Sequence, residues 1–215
     1  MIDLHEDRRY SMSFTAASLR PELARIVAET YLESGDWDEA RRRILDDNLL
    51  QARSRGSAVR MEGEIRQRLQ TLTREQLEVA AGASAGASAD SRGAVAWLSV
   101  LKLYPFIWSF AAGFLRDKME AHDRVLRPSD YEDFLESESA AHPELRQLTP
   151  VTKDKIRQVL LKMLREAGIL PEDRRDFGLQ RVLLPPDVVN VILADDKAWL
   201  AGFLVPDGEI ATLGG

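Results

Sequence analysis

Side chains able to do covalent or metal chemistry are scarce in this chain. Cysteine is absent, which excludes a disulfide framework, a thiol nucleophile, a Cys-ligated zinc site and an iron–sulfur cluster. The histidines His5, His122 and His142 stand far apart, so no H-E-x-x-H pair can form. One literal enzyme motif occurs, G-x-S-x-G at Gly82-Ala83-Ser84-Ala85-Gly86. A nucleophile elbow needs a strand before the serine and a helix after it. Here a helical pattern precedes it and Ser88 repeats the same small-residue theme, so residues 82–91 read as a flexible connection, too small and polar to pack. Asp130, Glu132, Asp133, Glu136 and Glu138 are close in sequence, but no histidine accompanies them, and they suit the solvated face of a helix near its N-terminus. Neither G-x-G-x-x-G nor a Walker A loop is present. The expectation is no catalytic residue, no metal and no cofactor.

Arginine is the chemistry that remains. The chain has 29 Lys and Arg against 35 Asp and Glu, a net charge of −6. Residues 1–127 are balanced, so residues 128–215 carry the whole deficit. Inside each part lies a basic concentration. Arg41, Arg42, Arg43, Arg53, Arg55, Arg60, Arg66, Arg68 and Arg74 face only Asp46, Asp47, Glu62 and Glu64 within their window. Arg146, Lys153, Lys155, Arg157, Lys162 and Arg165 face Asp154 alone. A guanidinium fork matches phosphate better than an ammonium does, and several such groups neutralise a polyanion with salt-dependent affinity that is largely blind to sequence. Lys155, Gln158, Lys162 and Arg165 share one helical stripe, with Gln158 able to reach a base edge. Thr149 and Thr152, near a helix N-terminus, could hold a phosphate. The competing expectation is that these bases pair with acids from elsewhere in the fold or bind another subunit.

The elements that must position them are helical. Leu19, Leu23, Ile26, Val27 and Tyr31 recur at helical spacing, with Pro21 in the first turn and Gly35 as the stop. Asp36 caps a second helix, Ser54 or Ser57 opens a third with Val59, Ile65, Leu69 and Leu72 on its apolar side, and Thr73 with Gln76 forms a capping box for a fourth. Residues 94–115 are apolar at all positions but Ser99, Lys102 and Ser109, long enough to span a bilayer. Lys102 would then sit near mid-membrane, and Pro105 divides the run, so two buried helices meeting at Pro105 are expected. Ser129 can cap an acidic helix, and Thr149-Pro150 starts an amphipathic one with Ile156, Val159, Leu160, Met163, Leu164 and Ala167 inward and Gly168 as its stop. Residues 168–170 and 181–185 suit two short strands around a polar turn, giving the helix–strand–turn–strand order of a winged helix. A final helical stretch carries Val188, Ile192, Trp199, Leu200 and Phe203. With 215 residues and 45% hydrophobic composition the chain can bury a sizeable core. The expected fold is all-α, a helical bundle of two lobes, residues 1–127 and 128–215.

Several segments, in order, resemble the BrxA family of bacterial BREX phage-defence systems. They are Tyr10-Ser11-Met12-Ser13-Phe14-Thr15, Gly35-Asp36-Trp37, Asn48-Leu49-Leu50-Gln51-Ala52-Arg53 and Ser57-Ala58-Val59-Arg60. Glu64-Ile65-Arg66-Gln67-Arg68-Leu69, Trp97-Leu98-Ser99-Val100-Leu101-Lys102, Tyr104-Pro105-Phe106-Ile107 and Asp130-Tyr131 with Phe134 follow. His142-Pro143-Glu144-Leu145 and Thr152-Lys153-Asp154-Lys155-Ile156-Arg157-Gln158-Val159-Leu160 complete the series, which covers about residues 10–170. The resemblance implies an all-helical fold partly similar to the NusB type, and a small non-enzymatic component of phage exclusion that binds double-stranded DNA.

The joint expectation is a cytoplasmic protein, since MIDLHEDRRY has no apolar signal core. Its expected nucleic-acid contacts are Arg41, Arg42, Arg43, Arg53, Arg55, Arg60, Arg66, Arg68, Lys153, Lys155, Arg157, Gln158, Lys162 and Arg165. Its expected partners are double-stranded DNA and other BREX proteins. The alternatives are an adaptor that assembles other BREX components without touching DNA, and an RNA-binding bundle.

Overall fold

A computed structural model of the chain describes residues 9–213. His5 and most of the N-terminal stretch without a signal core lie outside the described residues. The helices run α1 (Pro21–Ser34), α2 (Trp37–Asp46), α3 (Arg55–Leu69), α4 (Arg74–Ala81), α5 (Ala89–Leu103) and α6 (Pro105–Trp108). A π-helix at Ser109–Leu115 leads into α7 (Arg116–Glu120), followed by α8 (Pro128–Ala141), α9 (Pro150–Glu166), α10 (Pro186–Leu193) and α11 (Asp207–Thr212). Shorter 3-10 turns occupy Ser13–Ala16, Pro143–Gln147 and Lys197–Phe203. Among the described residues there is no strand, so the fold is all-α.

The local signals act where the sequence puts them. Gly35 closes α1 with φ 69°, a left-handed conformation that costs a glycine little. Asp36 accepts the Glu39 N–H at 2.7 Å to start α2, and Ser54 accepts the Ser57 N–H at 3.2 Å to start α3. In the capping box of α4, Thr73 Oγ1 accepts from the Gln76 N–H at 3.3 Å while Gln76 Oε1 accepts from the Thr73 N–H at 3.1 Å. Thr149 accepts the Thr152 N–H at 3.2 Å ahead of α9.

Two compact units form, each discontinuous in sequence. One contains Ala16–Leu103 and Leu184–Asp195; the other contains Tyr104–Leu183 with residues 9–15 and 196–213. The boundary expected at 127/128 falls inside the second.

In the first unit α1 packs against α2, α3, α4 and α5, and α10 returns onto α4 and α5. Val27, Ile44, Ile65, Leu69, Val95, Trp97, Leu98, Leu101, Val188 and Ile192 are buried. Lys102 is buried among them, with its ammonium 2.6 Å from Asp195, 2.9 Å from Gln76 Oε1 and 3.3 Å from the Thr71 carbonyl. The cation that counted against a membrane span is therefore the centre of a polar network. No single helix among the described residues is long and apolar enough to cross a membrane. The apolar run breaks at Tyr104, whose extended backbone precedes Pro105 at the first position of α6.

In the second unit the π-helix presents Phe110 to Tyr131 and Phe134, with ring centroids 6.3 and 4.9 Å away. Tyr10 stacks on His142 at 3.6 Å, donates its N–H to Glu144 at 2.8 Å, and joins its hydroxyl to Ser109 and Glu138. Ile156, Leu160, Met163 and Leu164 bury the inner side of α9.

Four local expectations need correction. The strands anticipated at 168–170 and 181–185 do not form. Leu126 N–H bonds to the Phe177 carbonyl at 2.9 Å and Leu179 N–H to the Arg124 carbonyl at 2.7 Å, so Gly178 bridges Val125 instead. Pro185 and Pro186 lack donors, and Pro186 already begins α10. Ser129 does not cap α8; Pro128 takes its first position and the Asp130 carboxylate accepts the Arg127 N–H at 2.6 Å. Val59 is exposed, because it borders a cleft between α2 and α3. The connection at 82–91 is only partly a linker. From Ala89 it is helix, and the buried Ser91 hydroxyl donates to Asp187 at 3.0 Å.

Candidate nucleic-acid interface

Arg41, Arg42 and Arg43 extend from α2, but each meets an acid. Arg41 lies 3.3 Å from Glu62, Arg43 lies 2.8 Å from Glu33, and Arg42 pairs with Glu39 one turn back. Arg55 pairs with Asp46 at 3.3 Å. Arg66 reaches the other oxygen of the buried Glu62 at 2.8 Å. Arg41, Arg42 and Arg55 nevertheless line one open cleft, with Asp38, Leu45, Asp46 and Val59.

Arg68 does not belong to any interface. It is 2% exposed, holds Glu64, and donates to the Ser18 and Ala17 carbonyls at 2.8 Å each. Its guanidinium ties α3 to the segment that precedes α1.

Arg53 and Arg60 differ from the rest. Both are exposed, and among the described residues neither has a carboxylate partner; Arg60 touches only the Ser57 hydroxyl, at 3.4 Å. They flank the start of α3, where Ser54 satisfies the Ser57 N–H and the N–H groups of Arg55 and Gly56 have no intrahelical acceptor. A helix N-terminus with free donors and surrounding cations favours an anion. Gly56 and the backbone donors of this first turn were not among the contacts expected from the sequence. The signal was present in Ser54-Arg55-Gly56-Ser57, a cap inside an arginine-rich stretch.

In the second unit, Lys155, Gln158 and Lys162 sit on the exposed side of α9, as their spacing predicts. Lys162 has Glu166 at 3.6 Å, one turn along. Lys153 is half-buried and borders a cleft with Arg146, Glu132 and Glu136. Arg165 leaves the stripe. Its Nη2 donates to the Arg174 and Asp176 carbonyls at 3.3 and 3.4 Å, and its guanidinium covers the Phe177 ring at 5.1 Å. It holds the 171–178 loop against α9. Arg157 meets Asp154 at 3.6 Å and turns toward an apolar cavity. Among the described residues no group of three or more His, Asp and Glu side chains could hold a metal ion.

The BrxA family model matches residues 8–196. The BREX protein BrxA of Escherichia coli O9:H4 (strain HS) is 26% identical over 88% of this chain and 86% of its own length. The BREX protein BrxA of Paramagnetospirillum magneticum (strain ATCC 700264 / AMB-1) is 23% identical over 89% of this chain and 94% of its own. A crystal structure of an uncharacterized protein from Magnetospirillum magneticum superposes with a TM-score of 0.77, covering 92% of this chain and 98% of that one. At 21% identity that likeness shows the fold alone.

Proposed function

The chain belongs to the BrxA family, and from that premise we propose that it serves BREX phage defence in the cytoplasm as a non-enzymatic protein that binds double-stranded DNA through phosphates. The observation that carries this reading is the start of α3, where Arg53 and Arg60 stand exposed with no carboxylate partner among the described residues, beside two backbone N–H groups that have no intrahelical acceptor. Arg41, Arg42 and Arg55 border the adjoining cleft. The pairs of Arg42 with Glu39 and of Arg55 with Asp46 are exposed, and such pairs contribute only about 0–1 kcal/mol, so a phosphate can take the carboxylate's place there at small cost, whereas Arg41 is held by the buried Glu62. Lys153, Lys155, Gln158 and Lys162 on α9 form a second face in the other unit.

Fluorescence anisotropy with random-sequence duplex at two salt concentrations tests the reading. Affinity should fall steeply with salt, and Arg53→Glu with Arg60→Glu should lower the slope of log K against log salt by about 2. Absent binding at low salt, or binding indifferent to salt, overturns it. If duplex RNA competes better than duplex DNA, the ligand is RNA.

The ion pairing of Arg41, Arg42, Arg43, Arg55 and Arg66 favours a second reading, an adaptor that assembles other BREX components. Phage restriction that survives Arg53→Glu with Arg60→Glu would support it.

A further inference from the structure

The second unit contains an apolar cavity of about 70 Å3. Phe110 of the π-helix, Leu126, Tyr131 of α8, Leu160 of α9 and Phe177 of the loop form its wall. Arg127 and Arg157 also line it, and with side chains 50% and 35% exposed they stand at its solvent side. Asp123 and the Val125 carbonyl engage one nitrogen of Arg127, at 2.6 and 3.4 Å. Asp154 lies 3.6 Å from one nitrogen of Arg157. Each guanidinium therefore keeps donors without an acceptor among the described residues. π-helical turns insert an extra residue and recur at functional sites; here one supplies Phe110 to the wall.

We infer that this cavity is a binding site for the carboxyl-terminal residue of a partner polypeptide, an aliphatic side chain filling the hollow and the terminal carboxylate meeting Arg127 and Arg157. An apolar cavity of about 150 Å3 accommodates benzene, so one of about 70 Å3 suits a single branched alkyl group. The two cations select an anion one or two bonds from that group, and guanidinium recognises carboxylate through paired hydrogen bonds. So small a hollow contributes little affinity to a free acid, and a useful ligand must continue along the surface as a peptide does. The site is lined by residues of the second unit alone and shares none with the start of α3, so its failure leaves the DNA reading untouched.

Isothermal titration of the full chain tests the inference with three probes. These are a ten-residue peptide ending in Leu with a free carboxylate, the same peptide amidated, and N-acetyl-leucine. The free-acid peptide should bind, and the amide should bind at least about tenfold more weakly, the expected loss for a charge-assisted contact. Arg127→Ala with Arg157→Ala should give a similar loss. Leu161 of α9 also lines the hollow, and Leu161→Phe, which fills it, should abolish binding while the thermal melt stays cooperative. Equal affinity for acid and amide overturns the carboxylate, equal affinity for the peptide and N-acetyl-leucine overturns the polypeptide, and no binding at millimolar peptide overturns the site.

Discussion

At the scale of the residue, what an ionisable group does here follows from its surroundings more than from its type. Arg68 and Arg53 lie in the same arginine-rich window, yet one is a buried tie and the other an exposed cation. Sequence could not separate them, because burial depends on which element packs over a given helical face. Tyr131 shows the same dependence. Burial pushes its phenol up to about 12, with the nearby Arg157 lowering it and Asp154 raising it. The neutral phenol is the form the folded unit favours, so its contribution is complete below the ordinary value of 10 and is lost as pH rises toward 12. Denaturation measured across this alkaline range should show stability falling, with Tyr131→Phe removing part of the slope. The difference in phenolate absorbance between the parent protein and Tyr131→Phe should develop above the ordinary value of 10.

At the scale of the element, the caps were legible because each works within a few residues. Gly35, Asp36, Ser54, Thr73 and Thr149 act at the positions their types indicate. Ser129 misled, since a proline at the first helical position and an acid at the third competed with it and prevailed. The supposed strands misled for a related reason. Their apolar runs were short, and the tertiary partner of Gly178 proved to be Val125, far back in the chain. The capping box of α4 gives this scale its test. Thr73→Ala removes the acceptor for the Gln76 N–H and should cost about 1 kcal/mol of unfolding free energy in a urea titration. Thr73→Ser should cost much less.

At the scale of the whole molecule, the chain leaves its first unit after Leu103 and returns to it at Leu184. The return is fixed by polar contacts to the buried Gln76, Ser91 and Lys102. Gln76 donates to the Val191 carbonyl at 3.1 Å, Asp195 neutralises Lys102, and Ser91 meets Asp187. Asp195→Ala would take the carboxylate 2.6 Å away from the buried Lys102 ammonium, and because Asp195 itself is partly exposed the loss should be about 1–3 kcal/mol, below that of a fully buried pair. The mutant should melt markedly lower than the parent protein, with Asp195→Asn intermediate. A loss no larger than that of an exposed pair would show that α10 is not held through this contact.

Helix positions, their caps, the break at Pro105 and the absence of cysteine chemistry were set by the amino-acid order alone, because helical periodicity and capping are interactions between near neighbours. The discontinuous units, the burial of Arg68 and Lys102, the acids that claim most of the exposed arginines, and the cavity beneath Arg127 and Arg157 were decided only by the tertiary structure. Charge neutralisation and enclosure both depend on groups brought together from distant parts of the chain, and the order of residues does not state which of them will meet.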